Sequence, residues 1–519
     1  MGVFYSRSTL RMVEEASDRE MTPVVEERAG GVLLVPERWG LPSDGTRDAA
    51  RRLRRVWNLF RPCLRTRTRD ASRHALVYLR GVLTMDAKRN YANIARRVNG
   101  VDDDGQNLQH SMSDSPWRAR AVFDKVQALA ALRPELRGGV LTLDETGKKR
   151  SGTKSAGAAR QYLGRHGKVE VCQVGVMLGY YKKDCWLLVD AELYLPETWF
   201  DEGHADLRRR WHIPPERAFK SKVEIGLEMV LRAKENGLPF AVLCCDTLYG
   251  RSAWFRRALD AEGITYLAKV PSNTLVYLEK PEVGVPEKTG RGRKPERPRV
   301  LNGVEPVRVR ELAENPNLEW REVTVRQAER GPLSHPCAAL RVWTVDESGA
   351  AEEWLLIRRE EDGDCSYSLS NAPEDTPLET LALWRSARYF AERTFQDAKT
   401  ELGWDEFVAL KYRAWMHHTA IDAIALWFVA ETKLDWAKRH PPDPGLRRQL
   451  GVEELPTVSV ANVREMLKEA LPLKRLSQRE AMRLVLKHLY GRARATRSRL
   501  KKRRGKDPPS RADPLKGRG

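Results

Sequence analysis

Three carboxylates in separate predicted core elements constrain the fold of this chain more than any other feature. They are Asp144 at the end of the apolar run GGVLTLDETG, Asp246 at the end of FAVLCCDTLYG, and Glu392 within the helical stretch ARYFAERTFQDAKTELG. Groups so far apart in sequence meet only if the fold brings them together. Two strand-end aspartates and a glutamate on a later helix could hold two Mg²⁺ ions about 3.5–4 Å apart, a geometry suited to in-line attack on a phosphodiester.

The order of the predicted elements indicates the fold class. After Gly138 the pattern predicts a short strand, a β-hairpin turning at Lys182 to Asp184, an amphipathic helix that ends before Gly237, a buried strand, a helix and a further strand. This order is typical of the ribonuclease-H-like α/β fold, a mixed sheet flanked by helices. Residues 271–376 then read as a β-rich insertion, because strand-like segments follow one another there without a long helix.

The length of 519 residues favours more than one domain. We expect a weakly ordered segment over 1–45, a helical DNA-binding domain over 46–135, the first part of the catalytic core over 136–270, the β-rich insertion over 271–376, the second part of the core with the Glu392 helix over 377–430, a helical region over 431–490, and a basic disordered tail over 491–519.

The net charge of +20 favours a polyanionic partner, and nucleic acid is the commonest one inside cells. Residues 492–518 contain twelve Lys or Arg and two Asp, which is half of that net charge. Such a run is often only a solvated tail, but disordered basic tails also bind phosphate without sequence preference.

Other classes of protein receive no support. We find no apolar window long enough for a membrane span, no secretory signal and no phosphate-binding G-x-x-x-x-G-K-[ST] loop, so we expect a cytoplasmic, nucleoid-associated protein without membrane or ATP. The seven cysteines form no CxxC pair and the ten histidines are dispersed, with His417 and His418 on different faces of a helix. This pattern predicts reduced thiols and no zinc site.

Two basic segments are candidates for DNA contact. Arg291 and Arg293 flank a glycine and precede Lys294, a pattern that suits insertion into a narrow minor groove. A flexible basic loop is the alternative interpretation. The tail offers a second set: Arg499, Lys501, Lys502, Arg503 and Arg504. The arginine-rich helices of 46–135 suggest specific DNA recognition, with an ordinary helical scaffold as the alternative.

Each carboxylate also has a structural interpretation. Glu145 competes with Asp144, because the alternation of a strand sends only one of the two into the site, and we favour Asp144. Asp246 could simply cap a helix. Glu392 shares a helical face with Arg388 and Lys399, which suits a metal ligand beside phosphate-binding cations but also an exposed, salt-bridged helix.

Several segments resemble the DDE-type insertion-sequence transposases, in the branch with a β-strand insertion between the second Asp and the Glu. The similar segments are YLRGVLTMDAKRNYANIA, LQHSMSDSPW, LDETGKKRSG, AARQYLGRHGKVEVCQVGV, CDTLYGRSAWFRRAL and AERTFQDAKTELGWDEF. The resemblance assigns the triad to Asp144, Asp246 and Glu392. The helical signature Tyr-x₂-Arg-x₃-Glu-x₆-Lys of that group maps onto Arg388, Glu392 and Lys399, while Arg385 stands at its tyrosine position.

The resemblance implies a metal-dependent DNA endonuclease and strand transferase. Two Mg²⁺ ions, with Mn²⁺ as a substitute, would activate water at a terminal inverted repeat and stabilise the leaving 3′ oxygen, and the freed 3′-OH would attack target DNA. It also implies double-stranded DNA as the partner and a homodimer in the DNA complex. Relatives often release the element through a hairpin intermediate.

Three other functions were weighed. A histidine–tyrosine nuclease needs His-x-His, which the adjacent His417 and His418 do not supply. A ribonuclease-H-like nuclease for hybrids or junctions shares the fold, but the β-rich insertion and the N-terminal helices argue against it. A transposase-derived DNA-binding regulator without catalysis is the main alternative, although a lost carboxylate would be its usual mark and all three are present.

Overall fold

The structure is a computed structural model, and the residues it describes are 35–183, 185–287, 296–328, 331–407, 410–452 and 454–504. The N-terminal part is helical, as the periodicity predicts. Its helices are α1 (Gly45–Phe60), α2 (Ser72–Thr84), α3 (Tyr91–Val98), α4 (Gln106–Ser113) and α5 (Ala119–Ala131).

A mixed sheet follows these helices and forms the centre of the molecule. Its first part contains β1 (Gly139–Lys149), β2 (Ala159–Leu163), β3 (Lys168–Lys182), β4 (Cys185–Leu193), the helices α6 (Ala205–Arg210) and α7 (Lys222–Glu235), β5 (Phe240–Cys245), the helices α8 (Thr247–Gly250) and α9 (Ala253–Ala261), and β6 (Tyr266–Val270). Helix α7 starts with a capping box at Ser221 and is followed by Gly237 with φ +72°, as the sequence predicts.

Strand pairing confirms the ribonuclease-H-like fold class. The strands lie in the order β4, β3, β1, β5 and β6, with β3 antiparallel to its neighbours and β1, β5 and β6 parallel. The parallel crossovers are made by α7 and by the pair α8 and α9, which is why helices flank the sheet.

The β-rich region continues the same sheet. Short strands and one helix come first: β7 (Leu275–Val276), β8 (Val283–Gly284), β9 (Arg299–Val300), β10 (Val307–Arg308) and α10 (Val309–Ala313). Long strands follow: β11 (Arg321–Ala328), β12 (Gly331–Asp346), β13 (Gly349–Arg359) and β14 (Cys365–Ser370). Strand β14 pairs antiparallel with β6, so the sheet reaches ten strands.

The remaining elements are helical: α11 (Leu378–Thr400), α12 (Tyr412–Arg439), α13 (Pro444–Leu450), α14 (Val460–Ala470) and α15 (Gln478–Arg504). Helix α15 extends beyond residue 490, so the basic segment is helical up to Arg504 where a disordered tail was predicted, and residues 505–519 lie outside the described part. Among the described residues, no helix has the length and apolar character needed to span a bilayer.

Two apolar cores cover the two faces of the sheet. Leu141 and Leu143 of β1 join one continuous core with α1 to α5 and α12, so that face of the sheet and the N-terminal helices are not separated. Val140 of β1 joins the other core, with Val242 and Cys244 of β5 and the first turns of α11. This alternation follows from the two-residue period of a strand and decides which way each site residue points. The domain boundaries themselves stay a prediction.

Candidate active site

Asp144 and Asp246 lie next to each other on adjacent parallel strands. Leu143 of β1 is in register with Cys245 of β5, and each is followed directly by an aspartate: Asp144 within β1 and Asp246 just after β5. They share the strand face of Val140 and Val242, which is the face that α11 covers. The fold therefore brings together two carboxylates that are about a hundred residues apart in sequence.

Strand β1 does not end at Asp144, contrary to the sequence interpretation. It continues to Lys149 in antiparallel pairing with β3, whereas its pairing with β5 stops at Leu143. The crevice beside Asp144 is produced by the end of β5, where the chain turns into α8. The prediction that β1 ends at Asp144 is therefore wrong, but Asp144 still lies at an edge of the sheet, because β5 ends beside it.

Asp246 is the N-cap of the short helix α8. Its Oδ1 accepts a hydrogen bond from the backbone N–H of Leu248 at 3.0 Å. The capping interpretation is therefore correct as local structure, and it fixes the carboxylate at the edge of the sheet. One oxygen is engaged by the cap, so a cap and a ligand role are compatible.

Arg388 of α11 reaches Asp144 across the crevice. Its guanidinium Nη2 lies 3.7 Å from Oδ2 of Asp144. Burial raises the pKa of Asp144 to about 6, with Arg388 acting against that shift and Asp246 adding to it. Asp144 is thus a buried carboxylate whose charged form is only partly stabilised by its arginine contact.

Glu145 points to the opposite face of β1. Its Oε2 accepts a hydrogen bond from Nζ of Lys222 at 2.8 Å, and Lys222 begins α7. Oε1 of Glu145 and the hydroxyl of Tyr249 are buried and have no hydrogen-bond partner in the described part of the chain. Burial also raises the pKa of Glu145, with Lys222 opposing the shift. Sequence reasoning missed Lys222, whose only signal is its place just after the Ser221 cap.

Glu392 lies in α11, one helical turn after Arg388, and its side chain is outside the described part. Lys399 is half-buried near the end of the same helix. Helix α11 packs against β1, β3 and β5, so its backbone runs over the edge that carries the two aspartates. Asp397 of this helix accepts a hydrogen bond from the indole of Trp186 at 2.9 Å, which fixes the helix against β4.

Carboxylate oxygens are the donors that hard divalent cations such as Mg²⁺ prefer. In the part of the chain that was searched, without the side chain of Glu392, no group of three or more His, Cys, Asp or Glu is arranged to hold a metal ion. The two aspartates alone supply a pair of hard oxygen ligands at one edge of the sheet. This donor set fits a divalent cation.

The predicted DNA-contacting residues are only partly described. Arg291, Arg293 and Lys294 lie outside the described residues. Arg499 is exposed on α15, and Lys501, Lys502, Arg503 and Arg504 continue that helix, with only their backbone described.

The cysteines and histidines lie where a structural role is expected. All seven cysteines are free thiols. Both rings of the histidine pair are buried and hydrogen-bonded: His417 contacts backbone oxygens of Met112 and Trp117, whereas His418 contacts Tyr78 and the backbone oxygen of Trp404. They face different neighbours, as the helical geometry predicts, and burial lowers the pKa of each to about 3.

A second charged cluster, which the sequence did not reveal, lies beside the crevice. Glu360 follows β13 and pairs with Arg358 at 2.6 Å and with Arg385 of α11 at 3.5 Å. Lys269, near the end of β6, lines a cavity together with these three residues. Because these groups come from β6, β13 and α11, only the closing of the sheet by β14 brings them together.

Comparison with known proteins gives two matches. The family described as DDE superfamily endonuclease matches residues 59–332, a little over half of the chain, including Asp144 and Asp246. A protein of Microchaete diplosiphon described as probable transposase for insertion sequence element IS701 is 24% identical over 351 residues, which cover 65% of this chain and 77% of that protein.

Proposed function

The chain belongs to the DDE superfamily of endonucleases, and on that premise we propose that it is the transposase of an insertion sequence. It binds the terminal inverted repeats of its element, cuts DNA strands there and joins the freed ends to target DNA. The name of the Microchaete diplosiphon relative supports this assignment. The net charge of +20 suits a DNA substrate.

The observation that carries the proposal is the pair of aspartates at the edge of the sheet. Asp144 and Asp246 follow in-register residues of parallel strands, and Arg388 of the helix that also contains Glu392 contacts one of them. We assign Asp144, Asp246 and Glu392 to the catalytic triad. Glu145 is assigned a supporting place, because its contact with Lys222 draws it to the other face.

The triad would hold divalent cations, with Mg²⁺ as the expected ion and Mn²⁺ as a substitute. When bound, such ions supply Lewis-acid stabilisation of the charge on the attacking and leaving oxygens of a phosphodiester. The position of Asp144 beside Asp246, with Arg388 as the cation that contacts it, supports a cation requirement.

The protein groups around the triad would position the DNA. Arg388 reaches the crevice, so its guanidinium would hold a strand phosphate close to the aspartates. Lys399 would contact the same strand further along α11. Arg291, Arg293, Lys294, Arg499 and the basic end of α15 (Lys501, Lys502, Arg503 and Arg504) would bind phosphates outside the crevice, and the arginine-rich helices of 46–135 would recognise the repeat. We expect two copies of the chain on two element ends.

The test is cleavage of a labelled DNA fragment that carries the ends of the gene's own element. Wild-type protein in Mg²⁺ should cut at the element boundary, and Glu392→Gln should bind the same fragment without cutting it. Cutting by both proteins would remove Glu392 from the triad.

Tight binding of the ends without cutting by the wild type, in Mg²⁺ and in Mn²⁺, would contradict the enzyme assignment. It would favour a transposase-derived DNA-binding regulator instead. Loss of binding to the ends by the wild type would contradict both functions.

A further inference from the structure

A cavity of about 580 Å³ opens beside the crevice, between the β-rich region and α11. Its charged lining consists of five cations and three carboxylates: Lys269, Arg326, Arg358, Arg385, Arg388, Glu360, Glu361 and Asp362. Arg388 is the residue that also contacts Asp144. The cavity is therefore continuous with the candidate active site but is built mainly from groups outside the triad.

Positive charge in this cavity exceeds the negative charge that faces it. Burial, together with the nearby Arg358 and Arg388, lowers the pKa of Arg385 to about 10. Burial, then Arg385 and Arg388, also lower the pKa of Lys269, which forms no ion pair with any of the described residues. Cations that are crowded and partly desolvated in this way are stabilised by an anionic ligand.

Of the carboxylates that line the cavity, Glu360 is the one that pairs with its buried guanidinium groups. Nη2 of Arg358 donates to both of its carboxylate oxygens, at 2.8 and 2.6 Å, and Arg385 approaches to 3.5 Å. The side chains of Arg358 and Arg385 are only 11% and 12% exposed. A guanidinium holds a carboxylate and a phosphate with the same two-pronged geometry, so Glu360 stands where a phosphate would fit.

The segment that carries Glu360 is a tight turn rather than a packed strand. Residues 360–364 read Glu-Glu-Asp-Gly-Asp and connect β13 to β14. Backbone hydrogen bonds join Glu360 to Asp364 and Gly363, and residues 361–364 are exposed. An exposed turn of this kind can move aside at low cost, because little apolar contact holds it.

We propose that this cavity binds a phosphate group of a DNA strand, and that Glu360 occupies the phosphate position until the DNA displaces it. The source of the phosphate rests on the proposed function, whereas the phosphate site itself rests on the charges of the cavity. Arg385, the residue that replaces the tyrosine of the helical signature, is a phosphate ligand in this chain. Glu360 acts as an internal competitor that weakens the binding of phosphate.

The test is the affinity for a fluorescein-labelled duplex in EDTA over a series of NaCl concentrations, measured by anisotropy. Glu360→Gln should bind about fivefold to tenfold more tightly than wild type, because two guanidinium groups lose their internal partner. Arg385→Gln should bind about tenfold more weakly, with a salt slope smaller by about one. Glu379→Gln is the matched control: it removes one charge from α11, where Glu379 pairs with Arg321 on the surface at 3.3 Å, and should stay within about twofold of wild type.

Equal affinities of Glu360→Gln and Glu379→Gln would overturn the competition, and wild-type affinity of Arg385→Gln would overturn the phosphate site. Thermal unfolding with sodium pyrophosphate as the probe separates this proposal from the proposed function. Pyrophosphate should raise the melting temperature of Glu360→Gln more than that of wild type, and should not raise that of Arg385→Gln.

This second measurement also covers a variant that folds poorly, because a destabilised Glu360→Gln should regain stability with pyrophosphate. If the wild type binds no duplex, the proposed function fails, and the pyrophosphate pattern still supports the phosphate site. If pyrophosphate stabilises no variant, the phosphate site itself is excluded.

Discussion

Two of the regions that bury charged side chains in the described part of the chain treat those charges in opposite ways. Where α1 crosses α12, Asp48, Glu431 and Asp435 each contact two cations of the protein or more. At the edge of the sheet, Arg388 contacts Asp144 and no ion pair joins Asp246 to a described residue, while the cavity beside them crowds cations around Glu360. The first arrangement is complete without a ligand, and the second is not.

The helix junction shows what a complete network contains. Arg52, only 1% exposed, contacts Asp48, Glu431 and Asp435 at 2.7, 3.2 and 2.7 Å. Burial opposes ionisation of Asp48, but hydrogen bonds from Trp436 and Arg52 hold its pKa below the usual value. At the sheet edge the pKa of Asp144 moves in the other direction. This comparison indicates that a candidate ligand site is distinguished by an imbalance between buried positive and negative charges, and not by the burial of charge alone.

The largest expected effect is loss of DNA cleavage in Asp246→Asn. Asparagine caps a helix as well as aspartate does, so α8 should form and DNA binding should persist. Cleavage should fall at least about a thousandfold, which corresponds to roughly 4 kcal/mol in the barrier. The measurements are gel-based cleavage in Mg²⁺, anisotropy for binding and the melting temperature. If binding and folding disappear together with cleavage, Asp246 is a structural residue.

The helix junction should respond through stability instead. Arg52→Met leaves Asp48, Glu431 and Asp435 short of a buried cation and should lower the free energy of unfolding by about 3–5 kcal/mol. The matched control is Arg51→Met. Arg51 is 45% exposed, pairs with Asp44 at the surface at 2.6 Å and reaches Asp48 only at 3.7 Å, so its loss should cost about 0.5 kcal/mol or less. Urea titration measures both, and equal losses would contradict the distinction between the regions.

Asp144→Asn should stabilise the metal-free protein. The pKa of Asp144 is about 6 in the folded chain and 3.8 ordinarily, so the folded state binds the proton more tightly. The stability that this group contributes therefore falls as pH rises from about 4 to 6, and above that range ionisation costs stability. The variant should exceed wild type by about 1–2 kcal/mol at pH 7.5 in EDTA, and by less at pH 4.5. A difference that does not change between these two pH values would show that Asp144 is not the group that titrates.

The smallest expected effect concerns the basic end of the chain. Deleting residues 492–519 removes twelve Lys or Arg, and DNA binding should weaken mainly at higher salt, with a smaller salt slope. The sheet edge should be unaffected, so cleavage of DNA that is already bound should continue. An unchanged slope would remove this segment from the DNA interface.

The sequence was sufficient for the central sheet because local patterns decide it. The alternation in β1 and the cap and Gly237 signals around α7 each act over a few residues. The position of Asp246 followed from the end of one apolar run. These are properties that a strand or helix carries by itself.

Other features depend on pairing between distant segments and were not readable. The continuation of β1 past Asp144 is set by β3, and the joining of the β-rich region to the sheet is set by the pairing of β14 with β6. Helix α15 continues into the basic segment because residues 491–504 contain no Pro and a single Gly. The prediction of a disordered tail rested on the charge of this segment and not on that composition. The contacts of Glu360 with Arg358 and Arg385 depend on all of these and have no local pattern.

The position of α11 in the chain has a consequence for protein synthesis. About 140 residues separate Asp246 from Arg388, and a ribosome needs roughly ten to thirty seconds to add them. During that interval the nascent polypeptide carries both aspartates without the helix that covers them. A translation product that stops before residue 378 therefore contains two of the three carboxylates that we assign to the triad and lacks the helix that carries the third. On the proposed function, premature termination yields a protein that does not cut DNA.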